Sequence, residues 1–240
     1  MKSSYPQKEQ VLSNVIAVIG CDGSGKSTLT ADLLTQLQSH APVELLYLGQ
    51  SSGNIGDWIK SRPFIGPSLS RYLKNKAKGA HSKESKSPDT ATTIVIYLLS
   101  LWRAHKFRRM LSLTRKGTLV ITDRYPQAET AGFYFDGTGL GGLNHNSWLV
   151  RKLAAREQKL YEWMASHIPT LLIRLNIDAQ TAHDRKPDHK LKMLEAKVSV
   201  IPTLTFNGAD ILELDGTSPY QQVLDTALTK INQKLTRNRF

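Results

Sequence analysis

The stretch Val15-Ile16-Ala17-Val18-Ile19-Gly20-Cys21-Asp22-Gly23-Ser24-Gly25-Lys26-Ser27-Thr28 decides the fold. Its first five residues are apolar and four of them β-branched, which suits a central parallel strand buried on both faces. Glycines end the strand. From Lys26 onward, Leu29, Leu33, Leu34 and Leu37 keep helical spacing to about residue 39, and Pro42 stops the helix from running far beyond. Strand, glycine loop and helix form the opening half of a βαβ unit.

Residues 20–27 match the phosphate-binding pattern G-x-x-x-x-G-K-[ST] without a mismatch, in the strand-to-helix setting the pattern requires. Gly20, Gly23 and Gly25 let backbone N–H groups turn toward a phosphate chain. The helix beginning near Lys26 adds unpaired N–H groups and the positive end of its dipole. Lys26 is expected to reach the β- and γ-phosphates of ATP, and the Ser27 hydroxyl to ligate Mg²⁺. The expected ATP-binding set is Gly20, Asp22, Gly23, Ser24, Gly25, Lys26, Ser27 and Thr28.

Outward from this loop, strands alternate with helices. Residues 43–48, 119–122, 171–177 and 211–214 read as further strands. Helices are expected at about 91–114, 147–166 and 219–235, and a short one after Asp178, a plausible N-cap. Residues 55–90 have weak periodicity and three prolines, and read as an irregular basic insertion. No internal repeat or linker divides the chain, so residues 1–240 are expected to form a single α/β domain. Its parallel sheet would be covered by helices on both faces.

Composition fits this reading: 240 residues, 40% hydrophobic and 22% charged, describe an ordinary globular chain and exclude collagen-like and disulfide-scaffold classes. Cys21 is the single cysteine and residues 1–10 are polar, so the expectation is a cytoplasmic protein. The longest apolar run, 94–99, is too short for a membrane span. The tryptophans Trp58, Trp102, Trp148 and Trp163 read as core or partly buried anchors.

The net charge of +12 is unevenly placed: residues 60–86 carry +7 and residues 103–116 carry +6. Such a field attracts polyanions or phosphorylated small molecules. A nucleotide-dependent nucleic-acid-binding protein is the reading from another class; nucleic acid is disfavoured because few aromatics are interleaved with the charges.

A second motif, Thr122-Asp123-Arg124-Tyr125, closes the expected strand at 119–122. A carboxylate at the carboxyl end of a parallel strand lands at the same sheet edge as the phosphate loop, so Asp123 is expected to hold Mg²⁺ or its water. Arg124 beside it is free to bind a phosphate with its planar fork.

Taken together, residues 20–28 and Asp123-Arg124-Tyr125 resemble the thymidylate kinase family of P-loop nucleoside monophosphate kinases. The resemblance runs over about residues 14–235 and includes Trp102-Arg103, the glycine-rich 137–142, and a short lid at about 183–190 containing Arg185-Lys186-Pro187-Asp188. It implies a three-layer P-loop NTPase fold with a five-stranded parallel sheet. It further implies MgATP as donor and γ-phosphoryl transfer to a nucleoside monophosphate, dTMP being the first candidate. By resemblance, Asp22 lies near the acceptor's sugar and the metal, Arg124 holds the acceptor phosphate, and Arg103 reaches the acceptor base. Arg185 would bring charge to the transferring group, because Ser24 stands where some members carry a loop arginine. The expected catalytic set is Lys26, Asp123, Arg124 and Arg185.

The acceptor half departs from the family. The loop after the second strand, Gly49-Gln50-Ser51-Ser52-Gly53, lacks the usual phosphate-gripping arginine, Leu99 stands where a stacking Phe is common, and Ala128-Glu129 replaces a polar pair. The sugar-contacting Tyr has no unambiguous counterpart, though Phe133 and Tyr134 lie near. A small phosphate acceptor of another kind, a nucleoside, a sugar or a glycan phosphate, is therefore the alternative substrate class. A homodimer is compatible with the sequence.

Overall fold

A computed structural model describes residues 9–39, 41–49, 90–132, 135–141 and 147–237. The basic insertion at 55–90 therefore lies outside the described residues, apart from its last position. So do Trp58, Phe133, Tyr134 and the loop residues from Gln50 on.

The strand expected at the centre is there: β2, Val15–Gly20, lies between β4 (Leu119–Asp123) and β6 (Leu171–Asn176). β3 (Val43–Tyr47) and β7 (Ile211–Asp215) complete a five-stranded sheet of order β3-β4-β2-β6-β7, parallel throughout. Alternation along β2 builds two cores. Ile16 and Val18 face α1 (Lys26–Leu37) and α6 (Tyr220–Arg237), packing with Leu29, Leu33, Val223 and Ile231. Val15, Ala17 and Ile19 face the opposite layer. There they meet Phe107 and Met110 of α2 (Thr90–Arg115), Tyr161 and Met164 of α3 (Trp148–Ala165), and Leu194 of α5 (Leu191–Val200). The result is a three-layer P-loop NTPase-like fold with apolar burial on both faces of the sheet.

The chain leaves β2 toward β3 and β4 on one side, then crosses to β6 and β7 on the other. The direction of strand order therefore reverses at β2, and a crevice is expected beyond the carboxyl ends there. Short α4 (Ala179–Arg185) begins as read: the Asp178 carboxylate accepts from Thr181 N at 2.8 Å.

Four elements were not read from sequence. β1 (Gln10–Val11) pairs in parallel with β5 (His167–Ile168), two residues each, too short for periodicity to register. Helix α5 and the 3-10 turn Ile201–Thr203 follow the lid residues, where Lys190, Lys192 and Lys197 mask the apolar spacing of Leu194, Val198 and Ile201.

The basic stretch on α2 is largely absorbed by local partners. Arg103 is paired with Asp136, Lys106 donates to the Gly49 carbonyl, Arg108 lies over the Trp163 ring, and Arg109 reaches Glu44 at 3.0 Å. Trp163 is packed against the core edge-on to Phe107, as an anchor should be. Trp102 and Trp148 are instead exposed, at 40% and 64%. Among the described residues no helix is long and apolar enough to cross a membrane.

Candidate active site

The phosphate loop leaves β2 and turns back into α1 through left-handed glycines, Gly23 at φ +84° and Gly25 at φ +94°. A side chain at Gly23 would also meet the Ala182 carbonyl at 2.8 Å, because α4 lies directly on the loop. Gly25 is the N-cap of α1 and supplies no side-chain acceptor, so the first N–H groups of the helix have no cap from that position. Ser24 is buried with its hydroxyl unpartnered, whereas Thr28 is exposed on the first turn.

Lys26 is buried, and its ammonium folds back to donate to the Cys21 carbonyl at 2.6 Å. Burial, with Arg124 nearby, pushes its pKa down to about 8. An anion in the loop would reverse both effects. Ser27 Oγ donates to Asp123 Oδ2 at 3.2 Å, across from the end of β4. The other oxygen, Asp123 Oδ1, is buried without a partner, and burial raises the carboxyl's pKa despite Lys26 and Arg124. A hydroxyl beside an under-coordinated buried carboxylate is an oxygen donor pair suited to a hard cation such as Mg²⁺.

Arg124 follows with φ +71°, a conformation that costs a non-glycine residue about 1–3 kcal/mol and turns its side chain away from the strand direction. Its amide remains on the sheet, donating to Val18 O at 2.9 Å. The guanidinium donates to Asp22 Oδ1 at 2.9 Å, stands 3.8 Å from Asp136 Oδ2, and lies 6.0 Å from the centre of the Tyr47 ring. Burial would lower its pKa, but Asp136, Tyr47 and Asp22 outweigh that and hold it further up.

Asp22 receives two cations. Oδ1 takes Arg124, and Oδ2 takes the Lys197 ammonium, with His189 Nε2 3.8 Å away. Burial alone would raise the Asp22 pKa; Lys197 and Arg124 instead hold it well below the usual carboxylate range.

Arg103, 1% exposed in the middle of α2, donates to Asp136 O at 3.1 Å and Oδ1 at 3.3 Å, with its guanidinium 5.6 Å over Tyr161. Asp136 is fixed from both sides. Gln127 Nε2 holds the Thr130 and Phe135 carbonyls, and buried Glu157 accepts from Leu140 N at 2.7 Å and from Gly139 N. An ionic chain therefore runs from Arg103 through Asp136, Arg124 and Asp22 to Lys197, joining α2, the glycine-rich loop, β4, the phosphate loop and α5.

The remaining expected residue, Arg185, is exposed at the end of α4; it donates to Gly216 O at 2.9 Å and Gly23 O at 3.3 Å. Thus Gly20, Asp22, Gly23, Ser24, Gly25, Lys26, Ser27, Asp123 and Arg124 converge on one sheet edge, with Arg103 joined through Asp136. Glu129 points elsewhere, accepting from Thr205 N and Phe206 N. A cavity of about 390 Å³ lies beside the loop between β6, β7 and α5. Its rim carries Asp178 and Asp215, which does not suit phosphate.

Sequence reasoning missed Asp136, Lys106 and Lys197. Asp136 sits in the quoted glycine-rich neighbourhood. Lys197 falls at helical spacing between Leu194 and Ile201, a lysine on an apolar face, and that was the available signal.

A glycine cradle at a helix N-terminus, faced by a serine–aspartate pair and an adjacent arginine, places the molecule in the P-loop NTPase-like class. No protein-family model matches the chain. It is 54% identical to the Escherichia coli (strain K12) "Uncharacterized ATP-binding protein YghS" over 222 residues, 92% of this chain and 94% of the relative. It is 43% identical to "Uncharacterized ATP-binding protein YghR" of the same organism over 227 residues, 95% of this chain and 90% of the relative. The chain belongs to the YghS/YghR family.

Proposed function

We propose that the protein binds MgATP in the loop 20–28 and transfers its γ-phosphoryl group to a small phosphorylated acceptor, a nucleoside monophosphate with dTMP as first candidate. The names of YghS and YghR support the ATP part. The observation that carries the transfer is the Asp123-Arg124 pair, which offers a metal-type carboxylate toward Ser27 and a partly buried guanidinium beside Asp22 at one strand end.

Ser27 Oγ and Asp123 would hold Mg²⁺, which when bound neutralises charge on the β- and γ-phosphate oxygens. Lys26 exchanges the Cys21 carbonyl for phosphate oxygens, and the loop amides hold the phosphate chain in line. Arg124 keeps Asp22 on one N–H and binds the acceptor's anionic group with the donors that remain, among them Nε, which is buried without a partner. An acceptor oxygen then attacks Pγ as the bond from Pγ to the β-bridging oxygen breaks. ADP leaves with that oxygen, and an anionic phosphate acceptor brings no proton to be removed. Lys106, at the base of the loop where the resemblance lacks its arginine, supplies a second acceptor-side cation.

Arg124→Ala is expected to raise the acceptor KM or depress kcat by about 100-fold or more while ATP affinity changes little. A kinetically silent Arg124→Ala would sink the assignment. Asp136 favours a second reading of the acceptor: it engages Arg103 through two atoms, so an acceptor with hydroxyl donors, such as a sugar phosphate, would be read by the same carboxylate.

A further inference from the structure

The sequence marks Arg185 as the cation that closes over the transferred group, but the structure offers another in the same segment. Lys197 projects from α5, is buried, and ends on Asp22 Oδ2 within the phosphate loop. Leu194 one turn before it and Ile201 just past the helix end are buried along the same face, so the stem of the side chain runs among apolar residues. Burying an ammonium there is costly unless a specific charge compensates it. A compensating carboxylate, Asp22, stands on the loop that cradles phosphate.

Arg185 is placed differently. It is exposed and donates to two backbone carbonyls, Gly23 on the loop and Gly216 after β7, joining the loop to the neighbouring turn. Lys197 instead shares one carboxylate with Arg124, the residue beside the Asp123–Ser27 pair. Lys26, Arg124 and Lys197 therefore surround the two loop-edge carboxylates, Asp22 and Asp123. Asp22 keeps Arg124 when Lys197 leaves, so an incoming phosphoryl oxygen can take the ammonium without stranding a buried anion.

We propose that Lys197 is a catalytic residue of the phosphoryl transfer: Asp22 stores its ammonium in the nucleotide-free protein and yields it to the transferring γ-phosphoryl group. This rests on the phosphotransferase reading above. A cation stored on a carboxylate is preorganised before ATP arrives, and charge aimed at the transferring group is the kind of contact that accelerates this reaction. Because α5 follows the lid residues directly, its ammonium also reports whether that segment is seated on the loop.

The test compares wild type with Lys197→Met, Lys197→Arg and Lys192→Ala, the last at an exposed lysine of the same helix, with a thermal melt recorded for each. Turnover is measured with the most active acceptor in a panel of nucleoside monophosphates and sugar phosphates. In parallel, affinity for MgADP is measured with and without aluminium fluoride, in the presence of that acceptor or of dTMP if none is active. The expected result is a kcat about 100-fold or more lower in Lys197→Met with ATP affinity within about 3-fold. The gain in affinity from aluminium fluoride is lost in Lys197→Met and partly recovered in Lys197→Arg, while Lys192→Ala keeps it. If wild type tightens with aluminium fluoride and Lys197→Met tightens equally, the assignment of Lys197 is wrong and the phosphotransferase reading stands. Equal losses of kcat, ATP affinity and melting temperature would make Lys197 a structural residue and overturn the assignment in the same way. If wild type neither turns over nor tightens, the phosphotransferase reading fails, and the role of Lys197 fails with it.

Discussion

Asp123 is the residue where the proposed metal-holding role most visibly opposes stability. Its carboxylate is 8% exposed, one oxygen has no partner, and burial raises its pKa. Asp123→Asn should therefore stabilise the metal-free protein, by about 1 kcal/mol, while abolishing MgATP turnover. A thermal melt and an ADP-release assay on the same sample check both halves. Asp22 has the opposite sign. Its carboxyl is held below the usual range by Lys197 and Arg124, against the effect of burial, so the folded state binds its proton more weakly than the unfolded chain. That stabilisation is complete above the unfolded carboxylate pKa of about 4 and is lost as pH falls below it. Melting curves from pH 7 to pH 3 should show wild type losing more stability than Asp22→Asn; parallel curves would contradict the pairing.

At the scale of elements, the loop and α4 depend on each other at Gly23. The left-handed backbone and the Ala182 carbonyl at 2.8 Å both exclude a side chain. Gly23→Ala is expected to cost about 1–3 kcal/mol and to weaken ATP binding at least 10-fold, read by denaturant titration and calorimetry. Ile16 on β2 tests the sheet: fully buried against α1 and α6, its replacement by Ala should cost about 2–5 kcal/mol and leave ATP affinity of the folded fraction intact. These two elements were also the most legible in the sequence. An apolar β-branched run flowing into glycine and then helical spacing admits few structures, and β4 announced Asp123-Arg124 in the same way. What stayed hidden was held by long-range pairing. The β1–β5 contact joins residues over 150 positions apart, and neither strand has enough length to show a period. Helix α5 was obscured by lysines, one of which, Lys197, proved to belong to the interior.

For the whole molecule, the fold class followed from alternating strands and helices, and the sheet put the loop where the strand order reverses. The charge was legible as a sum but not in its arrangement. Most of the basic residues on α2 are engaged with Asp136, Gly49, Trp163 and Glu44, contacts that only the folded chain brings together. Likewise, Asp22 and Asp123 could be named from local motifs, whereas the chain from Arg103 to Lys197 draws on five separate elements. The proposed ATP half of the site is therefore local in sequence and the proposed acceptor half is tertiary, which is why the acceptor is the part to be measured. The most direct measurement is ADP release from MgATP across dTMP, the other nucleoside monophosphates, nucleosides and sugar phosphates, with Lys26→Ala as the blank. Acceptor-dependent release by wild type, absent from Lys26→Ala, is the predicted result. ATP binding without release above the blank for any acceptor would contradict phosphoryl transfer and leave a nucleotide-binding protein in its place.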